Sequence, residues 1–212
     1  MSGLEIFIYA VVLLFSVIIH EVAHAYAAYK RGDDTAKRAG RITLNPIPHI
    51  DLFGSIVLPA VMLLAQSPLL FGWAKPVPVN YAKLRNPRFD AALVSAAGPL
   101  SNAALALFAG LIIRLINTFP AAQQGLGGSL AILLSLVVMV NIVLLVLNLL
   151  PVPPLDGSKI LAYFLPRELS YKYLNLNPFV CFAILILLLS SGFLWKAVIP
   201  VLKIFMTVII GR

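Results

Sequence analysis

Near the start of the chain, His20-Glu21-Val22-Ala23-His24 combine residue types and a spacing that suit metal chemistry. On a helix, positions i and i+4 share one face, a turn apart. Both imidazoles can therefore bind a single metal ion. Glu21 lies beside them, able to reach a water on that ion without being a ligand. The pattern H-E-x-x-H supplies two zinc ligands and a general base. Its setting is unusual, because Ile6 to Ile19 contains no charged residue, so the motif sits inside a membrane-spanning segment. Burying His, Glu and His in lipid is costly unless they are paired or metal-bound. A polar helix end with chance histidines is the weaker reading.

Two histidines do not hold a catalytic zinc; three protein ligands and one open position are usual. The helix continues Ala25-Tyr26-Ala27-Ala28-Tyr29-Lys30. Ala27 and Lys30 thus stand where the metzincin extension has Gly and His. The third ligand comes from elsewhere. His49 is the one other histidine, and Asp156 is an acidic residue between an apolar span and a further helix. Residue chemistry admits either. Depth in the membrane favours Asp156, since an unpaired carboxylate there is costly and a metal-bound one is compensated. Asp156 also reads as a helix cap after Pro153-Pro154. Asp33, Asp34, Asp51 and Asp90 lie in basic loops and are expected to be solvated.

The elements that must position these groups are mostly apolar. The 212 residues are 61% hydrophobic and 11% charged, and the mean hydropathy is +0.98. Soluble domains carry about 25% charged residues, so an all-α polytopic membrane protein of one domain is expected. The first apolar run lacks a basic leader and a cleavage site, and is expected to be retained. One cysteine, Cys181, excludes a disulfide framework and a thiolate zinc site. The net charge of +8 reads as membrane topology rather than nucleic-acid binding.

Taken in order, Leu4 to about Tyr29 is the first span. The loop that follows holds Lys30, Arg31, Lys37, Arg38 and Arg41, and no Lys or Arg precedes it. Basic loops stay in the cytoplasm, which puts the N-terminus outside and the motif about 9 Å below the cytoplasmic boundary. Gly40 to Leu44 has the makings of a short strand. Leu52 to Phe71 is apolar, but the segment after it carries Lys75, Lys83, Arg85 and Arg88. A re-entrant hairpin is therefore favoured over a full span: Leu52–Leu70 dips in and Phe71–Val79 returns extended. Irregular backbone at that depth must line a cavity or be buried in protein. Ala91 to about Asn117 spans outward, with Asn102 at the depth of the motif. Leu130 to Leu150 spans back, with Asn141 and Asn148 as polar positions, and Pro151-Val152-Pro153-Pro154 re-aims the chain before Asp156. Asn177 to Ile210 is apolar and makes one or two further spans. The total is four to six.

Four stretches together resemble the site-2 protease family of intramembrane zinc metalloproteases. They are His20–His24, Gly40–Asp51 with its Asn45-Pro46 break, Ala97-Gly98-Pro99-Leu100-Ser101-Asn102, and Asn148-Leu149-Leu150-Pro151-Val152-Pro153-Pro154-Leu155-Asp156-Gly157. The likeness runs from Leu4 to about Tyr163, with 177–210 as a C-terminal hydrophobic segment. It is to the compact prokaryotic branch, without a PDZ or nucleotide-sensing domain. The resemblance implies one Zn²⁺ per chain on His20, His24 and Asp156, with Glu21 as catalytic base. It implies peptide-bond hydrolysis in membrane-spanning protein substrates, within the bilayer of the cell membrane and towards its cytoplasmic side, with no nucleic-acid partner. Asn102, Asn148 and His49 are candidates for stabilising the oxyanion or holding substrate. The Phe71–Val79 stretch would hold a substrate extended. A zinc transporter or sensor without proteolysis is the alternative. It requires polar groups through the whole membrane depth, and the outer halves of the spans have almost none.

Overall fold

The computed structural model describes residues 2–57, 61–62, 64, 75–119 and 123–211. The helices are α1 (Gly3–Lys30), α2 (Thr35–Arg38), α3 (Pro87–Thr118), α4 (Leu126–Asn148), α5 (Asp156–Phe164), α6 (Arg167–Leu174), α7 (Pro178–Ser190) and α8 (Phe193–Phe205), the last running into a wider turn at Met206–Ile210. Among the described residues four helices are long and apolar enough to cross a membrane: α1, α3, α4 and Phe193–Ile210. The chain is an all-α, multi-pass membrane protein. Helices α6 and α7 also make an apolar pair, bent by 78° at the break between them.

Local chemistry explains the boundaries. Ser2 and Glu5 exchange hydrogen bonds at the start of α1, which satisfies two amides that have no helical partner. At α3 the Asn86 side chain caps, Pro87 opens the first turn, and Asp90 adds a negative charge at the positive end of the helix. Helix α3 is the hub and packs against α1, α4 and α5. Ala106, Ala109 and Ile113 on α3 are buried with Val138 and Ile142 on α4 and Leu194 and Val198 on α8. Gly110 is required there, because a Cβ would come within 2.7 Å of the Phe205 ring. The Arg114 guanidinium donates to the carbonyls of Val208 and Ile209, pinning the end of the chain beside the C-terminal end of α3.

Several expectations change. Gly40–Leu44 is a turn and bend, and among the described residues there is no strand. Half of the expected re-entrant hairpin, 52–79, lies outside the described residues, including its tip and residues 71–74 of its returning arm. Its base is described: the Lys75 amide donates to the His49 carbonyl at 2.9 Å. Nor are all the loop aspartates solvated. Asp33 and Asp90 are 0% and 1% exposed. Asp90 accepts from the Asn86 amide at 2.8 Å and faces Arg31 at 3.5 Å. Asp33 accepts from the amides of Thr35 at 3.0 Å and Asn80 at 2.6 Å. Asp34 behaves as expected of an exposed group and pairs with Arg38 and Lys83.

Asp33 therefore joins the loop after α1 to the segment before α3. Burial opposes its ionisation, but hydrogen bonds from Thr35 and Asn80 outweigh that and hold its carboxyl below the usual range. Stabilisation from such a group is present above the ordinary carboxylate pKa of about 3.9 and is lost as pH falls through the lowered value. Asp33→Ala strands the Asn80 and Thr35 amides, at a cost of about 1–3 kcal/mol. Thermal unfolding in detergent at pH 7 is expected to show a lower midpoint for the variant, and the gap from wild type is expected to close under strong acid.

Candidate metal centre

One helix supplies two corners of a small triangle, a second supplies the third, and another helix backs it. His20 and His24 lie one turn apart on α1. Asp156 is the first residue of α5, and α3 passes behind both imidazoles. The His20 and His24 Nε2 atoms are 3.0 Å apart. The Asp156 Oδ2 lies 3.1 Å from His24 Nε2 and 3.2 Å from His20 Nε2. All three residues are less than a tenth exposed. Asp156 does not act as a cap: Leu155 holds that position and no side chain caps α5.

The other imidazole nitrogens reveal what converges there. His24 Nδ1 lies 2.6 Å from the Val94 carbonyl, which can only accept, so this nitrogen carries the hydrogen. His20 Nδ1 donates to Asn102 Oδ1 at 2.6 Å. Both Nε2 atoms thus present bare lone pairs to each other and to a carboxylate oxygen. Three electron-rich atoms at this spacing repel unless a cation lies between them. Zinc bonds to nitrogen and oxygen at about 2.0–2.2 Å, and a tetrahedral arrangement then separates ligands by about 3.3–3.5 Å. The edges of the triangle, 3.0, 3.1 and 3.2 Å, fall a few tenths of an ångström short of that face, and its donor set of two neutral imidazoles and one carboxylate suits zinc.

Close approach of α3 makes the triangle. A Cβ at Gly98 would lie 2.5 Å from His20 Cε1 and collide with His24 Nε2. The next residue, Pro99, has no N–H, so the Ser95 carbonyl lacks its usual helical donor. Gly157 does the equivalent on α5, where a Cβ would run into the carbonyls of Leu149 and Leu150. The turn between α4 and α5, with its cis Pro153–Pro154 bond, can then fold tightly enough to bring Asp156 to the histidines.

A cavity of about 370 Å³ opens on the triangle. Glu21 lines it, as do Ser95, Asn148 and Lys159. Glu21 Oε2 accepts from the Val77 amide at 2.8 Å, and Lys159 Nζ stands 3.9 Å from Asp156 Oδ1. Pro76, Val77 and Val79, in a segment outside any helix, form one wall. Arg41, only 5% exposed, reaches into this segment and donates to the carbonyls of Lys75 and Pro76.

The structure brings His20, Glu21, His24, Asp156 and Asn148 to this cavity. It does not bring Asn102 or His49 there. Asn102 is wholly buried behind His20. His49 is wholly buried in the loop after α2, 3.0 Å from the Thr43 carbonyl. The sequence marks Gly98 only as one of several small residues, and gives no role to the Val77 amide or Arg41. A glycine followed by proline inside an apolar span, and a valine between two prolines, were the available signals. Arg41 gave none, since a loop arginine looks like any solvated cation.

Comparisons with known proteins bear on the chemistry that these residue types suit. The sequence model described as peptidase family M50 matches residues 120–188, a stretch that holds Asn148 and Asp156. "Putative zinc metalloprotease YwhC" of Bacillus subtilis is 41% identical over 87% of this chain and 83% of its own length. "Putative zinc metalloprotease Rip2" of Mycolicibacterium smegmatis is 33% identical over 68% of this chain and 52% of its own length. The protein of that name in Mycobacterium tuberculosis strain H37Rv is 32% identical over 84% of this chain and 64% of its own length. No solved structure matches the chain.

Gly98 gives a sharp test of the triangle. Alanine is the better helix former by about 1 kcal/mol, but overpacking a buried contact costs about 1–3 kcal/mol, so Gly98→Ala is expected to fold with a modest loss of stability. Its methyl nevertheless occupies the space of both imidazoles. Elemental analysis of purified protein is expected to find one zinc per chain in wild type and background zinc in the variant.

Proposed function

The chain belongs to peptidase family M50, the site-2 protease family of zinc metalloproteases, and from that premise we propose that it hydrolyses peptide bonds of membrane-spanning protein substrates near the cytoplasmic face of the cell membrane. Residues 1–212 act as one transmembrane protease unit with its core at 4–163. One observation carries the reading: three zinc-suited ligand atoms and a carboxylate share a half-polar cavity among helices long enough to cross a bilayer.

His20, His24 and Asp156 are the residues that hold the ion. A bound zinc supplies Lewis acidity, lowering the pKa of a water and polarising a carbonyl. Glu21 takes the proton from the attacking water and returns it to the leaving amine. The Val77 amide holds one of its carboxylate oxygens, which fixes the side chain and keeps the second oxygen for the proton. Asn148 lines the cavity. Its Nδ2 donates to the Leu144 carbonyl at 2.9 Å, so its position is fixed, and it is the candidate for binding the scissile carbonyl. Asn102 and His49 are not assigned that role.

The Lys75–Asn80 stretch holds the substrate. Pro76 and Pro78 have no N–H to offer. Along an extended chain, successive residues point their polar groups to opposite sides. Val77 and Val79 therefore share the side on which Glu21 accepts. A substrate unwound from its helix pairs there with Val79, main chain to main chain.

The orientation is supported by charge. Lys30, Arg31, Lys37, Arg38 and Arg41 lie at the site end of α1, and Lys83, Arg85 and Arg88 precede or open α3 at that same end. Lys83–Asp34, Arg31–Asp90 and the Asn80–Asp33 bond tie these two basic segments together. Basic segments stay in the cytoplasm, so the N-terminus is outside. The Lys75–His49 bond supports the re-entrant reading of 52–79, because the segment leaves and returns at one end of the bundle.

The test uses purified full-length protein, a single-span substrate, and zinc measured on the same sample. Glu21→Gln is expected to keep one zinc per chain and lose cleavage by about 10²–10⁴-fold, the usual worth of a general base. Full activity in the variant would overturn the role of Glu21. A wild type that holds zinc, cleaves nothing, and moves zinc across liposomes would overturn the protease reading.

A further inference from the structure

A line of buried polar groups runs away from the metal triangle into the middle of the bundle. His20 Nδ1 meets Asn102 Oδ1. Asn102 Nδ2 donates to Asn141 Oδ1 at 2.8 Å. Asn141 Nδ2 donates to Ser16 Oγ and to the Val137 carbonyl, each at 2.9 Å. Asn102 on α3 and Asn141 on α4 have no exposed surface, and Ser16 on α1 is 4% exposed. Asn141 touches neither the ligand atoms nor the cavity.

The order of donors along this line follows from its far end. A carboxamide can be turned end for end with almost no change in shape, so each asparagine alone would face either way. The Val137 carbonyl only accepts. Asn141 must therefore turn its NH₂ towards it, which points its oxygen at Asn102. Asn102 must answer with its NH₂, which points its own oxygen at His20. That oxygen demands a hydrogen on His20 Nδ1 and so leaves Nε2 bare. One backbone carbonyl of α4 thereby sets the tautomer of an imidazole on α1, through two side chains. His24 needs no such device, because its Nδ1 meets the Val94 carbonyl directly. Packing alone does not explain Asn141 either. It sits in an apolar helix beside Val140 and Ile142, where leucine would fill the same space without a polar group to satisfy.

We propose that Asn141 is a positioning residue of the metal centre: it orients Asn102, and through it holds His20 in the tautomer whose Nε2 lone pair binds the ion. This rests on the reading of His20, His24 and Asp156 as a zinc site. It says that a residue two hydrogen bonds away from the nearest ligand controls metal affinity.

The experiment compares wild type, Asn141→Leu and Asn141→Asp as full-length protein in detergent. Zinc affinity is read by competition with a chromophoric chelator. The His20 tautomer is read in metal-free protein by nitrogen NMR of labelled histidine. Partners one layer behind metal ligands are worth about 10–100-fold in affinity, and that loss is expected for leucine, with His20 spread over both tautomers. Aspartate, neutral in this wholly buried place, keeps an acceptor facing Asn102 and an O–H for the Val137 carbonyl, so its affinity is expected within about threefold of wild type. Where the leucine variant does not fold, Asn141→Ala takes its place. A purely structural Asn141 would lower the thermal midpoint of metal-free protein and leave zinc affinity and tautomer alone, and that result overturns the proposal. So does an aspartate variant that loses as much affinity as leucine. Wild type that binds no zinc would instead bring down the reading of the site, and this inference with it.

Discussion

The structure depends on holding three lone pairs within about a hydrogen bond's length of one another, in a place largely shielded from water. Charge and dipole repulsion grow as the surroundings become less polar. Left to itself such a cluster would spring apart or take up protons. Its persistence requires helices that approach more closely than ordinary side chains allow, and that is what Gly98 and Gly157 permit. Each sits where one added methyl would collide with an imidazole or a carbonyl. The turn at Pro151–Leu155 follows from the same need, since Asp156 belongs to a helix of nine residues and must arrive with its carboxylate already aimed.

Much of this was legible beforehand, for a physical reason. The spacing of His20 and His24 is a property of one helix, and a helix is the only open element that spans lipid. Ligand spacing on α1 therefore survives whatever the rest of the chain does. Asp156 was readable because a carboxylate at membrane depth needs a partner. What was not readable depends on contacts between distant segments. Asn102 looked like a group for the substrate, since any polar side chain at that depth does; only the packing of α3 on α1 and α4 turns it behind His20. Asp33 looked solvated among basic neighbours, yet its real partners are backbone amides, and amides leave no mark in a sequence.

The loop charges prove to be joinery. Arg41, Asp33 and the His49 carbonyl grip the segment from Lys75 to Asn80 at three points, and the Val77 amide then reaches Glu21. A segment outside helix and strand has little to hold it in shape by itself, because it lacks their regular hydrogen bonds. Here the first loop supplies those bonds from outside. A change at Asp33 is thus a change in how firmly the wall of the cavity stands, although Asp33 is absent from that wall.

Pro76 and Pro78 have an effect beyond the cavity. A free strand edge invites any other extended chain to join it, and once joined, the newcomer offers a fresh edge to the next. That is how fibrils grow. Here the edge away from Glu21 lacks the amide donors a neighbour would need. On that side a neighbouring chain would find no N–H at residues 76 and 78. The two prolines let an irregular segment line the cavity without offering a row of amide donors on its far side to a neighbouring chain.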